Sequence, residues 1–250
     1  DPKRLDQDAQ SDVDALSEAA GHVGDDPLPV NQMAEPDAHV LDVIRIDDGQ
    51  WWLGNHVAGA TAQRWPGGIP LLRTPQRLIS RAWLKTAESI AWSGITISRD
   101  DVCAEIGSAP GGSCQRLLEL GAKQVIAIDP ADMDSELSKD RRIQHIKKRG
   151  REVPHRQLSD VTWLFADSNV APVHTLDTVE GLVTGTKTNF RGLVLTLKFN
   201  DASMLDQIGG WIDRVKSWGF SYVRTRQLAW GRQEICLVAL RQKSVRRFRN

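Results

Sequence analysis

The sequence predicts an α/β protein: a doubly wound, Rossmann-like sheet, mostly parallel with one antiparallel strand, preceded by a small N-terminal β-hairpin region. Two observations carry that prediction. From residue 76 onward, short apolar runs alternate with helical patterns of nine to seventeen residues, the rhythm of βαβ units. The last two runs, 221–228 and 234–240, are joined only by AWGRQ, and a parallel crossover needs about a dozen residues, so they must pair antiparallel.

Taken in order, residues 1–37 read as an acidic, weakly ordered arm with one short helix at 11–20, because they lack sustained apolar periodicity. The chain as a whole carries no net charge, yet residues 1–48 hold thirteen acidic against three basic residues, which leaves about +10 on the remainder. The chain begins at Asp1 without an initiator methionine, as expected of a fragment or processed form. From Val40, VLDVIRI and QWWLGNHVAG flank a DDG turn and read as a hairpin, with Trp51 and Trp52 on opposite faces so that one ring can enter a core. RWPGGIPLLRTPQ is a linker. The expected divisions are therefore 1–37, 38–72 and 73–250.

Within the last division the pattern predicts helix 76–92, strand 101–106, helix 112–120, strand 124–129 and a short helix near 131–139. Strands near 143–146 and 161–166, helix 172–185, strand 191–198 and helix 203–218 precede the final hairpin. The stretch EIGSAPGG, residues 105–112, then falls on the first strand-turn-helix of the sheet, where glycines let a ligand approach the backbone and a helix start. The hydride-transfer fingerprint G-x-G-x-x-G is broken, since Ala109 stands at its second glycine. Asp129 ends the next strand, where a carboxylate accepts hydrogen bonds from ribose hydroxyls. These features together imply a ribose-bearing ligand without a required pyrophosphate; the competing reading has glycine and proline merely turning the chain and Asp129 capping the short helix after it.

SRAWLK, EIGSAPGG, AIDP, FAD, LTLKFN and RQEICLVAL occur in the order seen in FtsJ-type ribosomal RNA 2′-O-methyltransferases, and the chain resembles that family over roughly residues 73–240, most closely its RlmM branch. The resemblance implies S-adenosyl-L-methionine held by Glu105, Gly107, Ser108, Ala109, Pro110, Gly111, Gly112 and Asp129. It also implies a Lys-Asp-Lys-Glu tetrad on Lys85, Asp167, Lys198 and Glu234, with RNA, in particular large-subunit ribosomal RNA, as substrate. The hairpin and linker resemble the end of an RNA-binding THUMP-like region.

Topology supports the tetrad independently, because ligands of open α/β sheets bind beyond the carboxyl ends of the strands. Asp167 and Lys198 close strands, and Glu234 opens the reversed one, so these three share an edge; Lys85 rests more on the resemblance. The chemistry needs such groups, since a ribose hydroxyl is a poor nucleophile near neutral pH. On this expectation Lys198 is the base, Asp167 orients it, Lys85 positions substrate, and Glu234 holds the second lysine or the sugar.

Other classes are disfavoured. No run approaches the roughly 18 apolar residues of a membrane span and no signal peptide opens the chain, so it reads as soluble and cytoplasmic. Cys103, Cys114 and Cys236 are odd in number and widely spaced, which suits reduced buried thiols and no metal site. One departure from the family pattern is that HIKKRGREVPHR carries no carboxylate before Gly150 to meet the adenine, leaving Asp160 or backbone groups. That run, with RQKSVRRFRN, supplies cations for phosphate contacts. The altered motif and short N-terminal region keep open an RNA-binding module that retains the fold without turnover.

Overall fold

The computed structural model describes Ser11 and residues 30–47, 50–184, 189–199 and 201–241. The expected 11–20 helix and the basic C-terminal decapeptide therefore lie, apart from Ser11 and Arg241, outside the described residues. Two compact units divide the chain, one ending at Leu71 and one beginning at Leu72.

In the first unit, β1 (His39–Asp47) and β2 (Gln50–Val57) pair antiparallel, with Ile44 opposite Trp52 and Val43 opposite Leu53. The DDG turn falls largely outside the described residues. Trp51 is half-buried and Trp52 is 61% exposed, which corrects the expectation that one ring is core. A two-stranded ribbon has no second layer of its own to cover either face. His56 closes the unit locally, bonding Asp42 at 2.6 Å and the Gln63 carbonyl at 2.8 Å.

The second unit is built on β3 (Val102–Ile106), β4 (Gln124–Ile128), β5 (Ile143–Ile146), β6 (Trp163–Ala166), β7 (Gly192–Lys198), β8 (Tyr222–Arg226) and β9 (Glu234–Leu240). They form one sheet in the order β5-β4-β3-β6-β7-β9-β8, and β9 alone runs against both neighbours. The expected hairpin is thus present, with β9 inserted between β7 and β8.

Helices α1 (Ala82–Ser93), α2 (Gly112–Glu119), α3 (Pro172–Thr184) and α4 (Ile208–Ser217) cover the sheet. One face is an aliphatic layer: Ala104, Ile126, Leu164, Leu193 and Leu237 pack with Leu176 and Val179 of α3 and Val215 of α4. The alternate strand positions, Cys103, Glu105, Phe165, Thr196 and Cys236, point the other way because successive strand residues face opposite sides. All three cysteines are free and buried.

Three element boundaries depart from the sequence reading. α1 begins at Ala82 rather than 76, because the Gln115 amide takes over the backbone before it, donating to Arg77 O and accepting from Ile79 N. The 131–139 helix shrinks to one 3-10 turn at Leu137–Lys139, since Asp134 Oδ1 accepts from the Glu136 and Leu137 amides. The 203–218 helix divides into a 3-10 segment, Ala202–Gln207, started by the Asp201 side chain on Ser203 N, and α4.

Candidate active site at the carboxyl edge of the sheet

The glycine turn between β3 and α2 is shaped chiefly by protein. Gly107 (φ +78°) has no room for a Cβ, which would lie 2.6 Å from the Asp167 carbonyl oxygen. At Gly111 (φ +119°) a Cβ would meet the Leu137 and Met133 side chains, and at Gly112 the Ser80 carbonyl at 2.8 Å. The sequence assigned these exclusions to a ligand; the structure assigns them to neighbouring chain. What the glycines achieve is close docking of the turn on Asp167 and on the start of α1. Gly107 and Ala109 remain partly accessible and Pro110 is exposed, while Ser108, Gly111 and Gly112 are buried.

Asp129 straps this turn to the end of β4. Its Oδ2 accepts from Ala109 N at 3.2 Å and its Oδ1 from Ala131 N at 2.8 Å. The helix it was weighed as capping is absent at 131, since the 3-10 turn begins only at Leu137, so Asp129 holds a turn; because a carboxylate offers about four lone-pair sites, acceptor capacity is left on a half-exposed group.

Glu105 does not face the accessible side of the turn. It is 1% exposed and accepts from Cys114 Sγ at 2.9 Å. Burial pushes its carboxyl up to about 8, against the downward pull of the Cys114 and Ser113 hydrogen bonds. It lines a cavity of about 20 Å³ with Lys85, Asp167 and Thr196, room for roughly one water. A direct contact from Glu105 to a ligand on the turn is not what this orientation offers.

Lys85, Asp167, Lys198 and Glu234 come together. Lys85 Nζ lies 2.7 Å from Asp167 Oδ2 and 2.9 Å from Glu234 Oε1, and Lys198 Nζ lies 3.8 Å from Asp167 Oδ1. The convergence follows from register: Lys198 is the direct partner of Glu234 across β7 and β9, and Asp167 follows β6 next door. Lys85 arrives from α1, on the face that the sheet turns toward Glu105.

The pairing differs from the expected one. Asp167 holds Lys85 closely and Lys198 only loosely, and Lys198 has a second neighbour in Asn169 Oδ1 at 3.4 Å. Burial alone would lower the Lys85 ammonium, but Asp167 and Glu234 outweigh it and raise it above the ordinary lysine value. Asp167 Oδ1 is buried and has no hydrogen-bond partner. A buried acceptor left bare is costly, so this oxygen is poised for a donor. The Lys198 side chain is 27% exposed against 12% for Lys85, so Lys198 is the amine that faces the open side.

Asp160 cannot stand in for the missing adenine acid. It is exposed and precedes β6, beside Thr162, whose amide bonds Val102 O at the start of β3; that is the opposite edge of the sheet. The basic run is partly neutralised, with Lys147 paired to Asp132 and Arg142 to Asp140. Among the described residues no group of three or more His, Cys, Asp or Glu could hold a metal, and no helix is long and apolar enough to cross a membrane.

Two participants escaped the sequence reading. Asn169 was hidden because DSN reads as a turn. Glu88 is fully buried on α1, and its carboxylate accepts from the amides of Ala229 at 2.9 Å and Trp230 at 3.2 Å, fixing the loop before β9. Its only signal was its position three residues after Lys85, on the same helix face.

A seven-stranded sheet with β9 reversed, a glycine turn beyond β3 and an acidic residue ending β4 defines the second unit as a Rossmann-like methyltransferase fold. Within it, residues 78–179 match the family described as FtsJ-like methyltransferase. The Ribosomal RNA large subunit methyltransferase M of Alkalilimnicola ehrlichii is 33% identical over 111 residues, covering 41% of this chain and 29% of that protein. The protein of the same name from Halorhodospira halophila is 28% identical over 189 residues, 72% of this chain and 52% of that one. The chain thus spans at most about half the length of these curated relatives. Among solved structures, a Lactococcus lactis protein named as a hemolysin superposes with a TM-score of 0.56 at 16% identity, covering 67% of this chain and 90% of its own. The Methanococcus jannaschii fibrillarin pre-rRNA processing protein does so with 0.52 at 13%, covering 81% and 98%. At such identities these two show the fold alone.

Proposed function

We propose that the chain transfers a methyl group from S-adenosyl-L-methionine to a ribose 2′-hydroxyl of RNA, in large-subunit ribosomal RNA. The observation that carries this reading is the asymmetric tetrad, one lysine locked between two carboxylates and a second presented to the open side. The match to the FtsJ-like methyltransferase family and the names of the curated relatives support the same chemistry.

The residues at the edge fit the cofactor. The partly exposed Gly107 and Ala109 and the half-exposed Asp129 carboxylate suit a ribose diol. When bound, the cofactor supplies an already activated sulfonium methyl.

The work left to the chain is to position the hydroxyl and remove its proton. Lys85, raised by two carboxylates, stays an ammonium and cannot accept it. Lys198 in its neutral form accepts the proton, and Asp167, through the oxygen 3.8 Å away, then stabilises the ammonium that results. Glu234 and Asp167 fix Lys85, whose charge favours the developing alkoxide.

Calorimetric titration with S-adenosyl-L-methionine, followed by transfer of labelled methyl to ribosomal RNA, tests the reading. Binding and transfer support it. Binding without transfer favours the RNA-binding module, and no binding removes the cofactor and the enzyme together.

A further inference from the structure

Three segments of the second unit meet beside Lys198 to form a cleft of about 580 Å³: the turn after β6 with Asn169 and Val170, the end of β7 with Phe199, and the loop before β9 with Arg232 and Gln233. That volume lies within the range of about 300–1,000 Å³ typical of small-ligand pockets. None of its lining comes from the glycine turn after β3.

The lining selects a ligand class. Its one carboxylate, Glu234, is already bound to Lys85, whereas Arg232 is exposed and has no ion-pair partner among the described residues. Arg232 thus gives the cleft a cation and leaves it no free anion, with the Lys198 amine at its edge. Val170, 43% exposed, and Phe199 add an apolar wall, and Phe199 is held flat against Trp211 at a centroid distance of 5.9 Å. A planar apolar body carrying a negative charge matches this surface, which describes a nucleotide unit of single-stranded RNA.

The walls are also built to keep their spacing. Phe199 N donates to Gln233 O at 2.7 Å, the Gln227 amide donates to Arg232 O at 2.5 Å, and the buried Glu88 carboxylate holds the amides of Ala229 and Trp230. An exposed arginine is thus mounted on a loop fastened at both ends.

We propose that this cleft seats a nucleotide of the RNA strand, its base against Val170 and Phe199 and its phosphate on Arg232, with Glu88 a positioning residue for that loop. The proposal rests on the reading of the neighbouring tetrad as an RNA methyltransferase site, but it makes a claim about RNA binding that needs no cofactor.

The test uses the full chain and a fluorescein-labelled twelve-nucleotide single-stranded RNA of mixed sequence, followed by fluorescence anisotropy over a series of salt concentrations. Arg232→Gln is expected to weaken binding several-fold and to reduce the slope of log affinity against log salt by about 0.7, one phosphate contact to a single strand. Arg232→Lys keeps the charge and should keep the slope. Val170→Glu, a substitution on an exposed turn, places an anion in the cleft and should weaken binding most at low salt. An Arg232→Gln titration that overlays the wild type, Val170→Glu binding as tightly as wild type, or no binding of the RNA by the wild type, overturns the proposal. Calorimetry with S-adenosyl-L-methionine runs in parallel: its failure would remove the methyltransferase reading while leaving the RNA result standing.

Discussion

At the scale of single residues, the two lysines of the site are chemically unequal, and Lys198 is where the mechanism is most exposed to test. Lys198→Ala should leave cofactor affinity nearly intact and reduce turnover by about 10²- to 10⁴-fold, the contribution of a positioned general base. Lys198→Arg should not restore it, since a guanidinium cannot take up the proton. Single-turnover methyl transfer decides: if arginine recovers most of the rate, Lys198 holds charge only, and the base lies elsewhere. Glu105 offers a second residue-scale prediction. Its folded carboxyl sits near 8 against an ordinary 4.5, so the folded chain keeps a proton that the unfolded chain releases. The stability this contributes is complete below about pH 4.5 and is lost as pH rises through about 8. Glu105→Gln retains an acceptor for Cys114 and removes the titration. Denaturation midpoints measured from pH 4.5 to 8.5 should therefore fall more steeply for the wild type than for the variant, and parallel curves would refute the assignment.

At the scale of elements, the glycine turn is a joint between β3, α2 and the loop carrying Asp167. Gly107→Ala places a Cβ against the Asp167 backbone, so its cost should appear first as lost stability and disturbed catalysis. Both measures should worsen together, by about 1–3 kcal/mol in stability, the usual toll of strain at a crowded left-handed position. An unchanged melting temperature combined with lost cofactor binding would instead restore the simpler view that a ligand alone needs the space. Asp129→Ala releases the Ala109 and Ala131 amides and removes the acceptor offered to ribose. Cofactor affinity should drop by about 1–3 kcal/mol while the fold persists, as calorimetry and circular dichroism can establish. Much at this scale was legible: strand-turn-helix order, the reversed β9 and the shared edge of Asp167, Lys198 and Glu234 all follow from run lengths and one short connection. The start of α1 was not, because a side chain from another helix, Gln115, competes for the backbone of residues 77–79, and no local pattern records that.

At the scale of the whole molecule, the acidic first segment and the basic remainder suit the proposed function, in which a basic surface meets the phosphates of RNA. Among residues 141–156, Lys147 and Arg142 are paired, whereas the exposed Lys148 and Arg149 have no ion-pair partner among the described residues. Reversing Lys148 and Arg149 should lower the salt slope of RNA binding by about 0.7 for each phosphate that is no longer neutralised. Filter binding across a salt series measures this, and an unchanged slope would make the run a solvated face.

The sequence by itself determined the class of fold and placed Asp167, Lys198 and Glu234 on one edge of the sheet, whereas Lys85 joined them only through the family resemblance. It could do so because alternation, connection length and strand direction are local properties of the chain, and strand direction alone dictates which termini share an edge. Tertiary structure decided the rest. Which lysine Asp167 grips, which way Glu105 points, that Gly107 makes room for Asp167 and that Glu88 fastens the loop before β9 all depend on side chains brought together from segments 9 to 142 residues apart. The physical reason is that sequence periodicity assigns a residue to a face or an edge, whereas the distance between two charges on that edge is set by how helices and turns pack against the sheet.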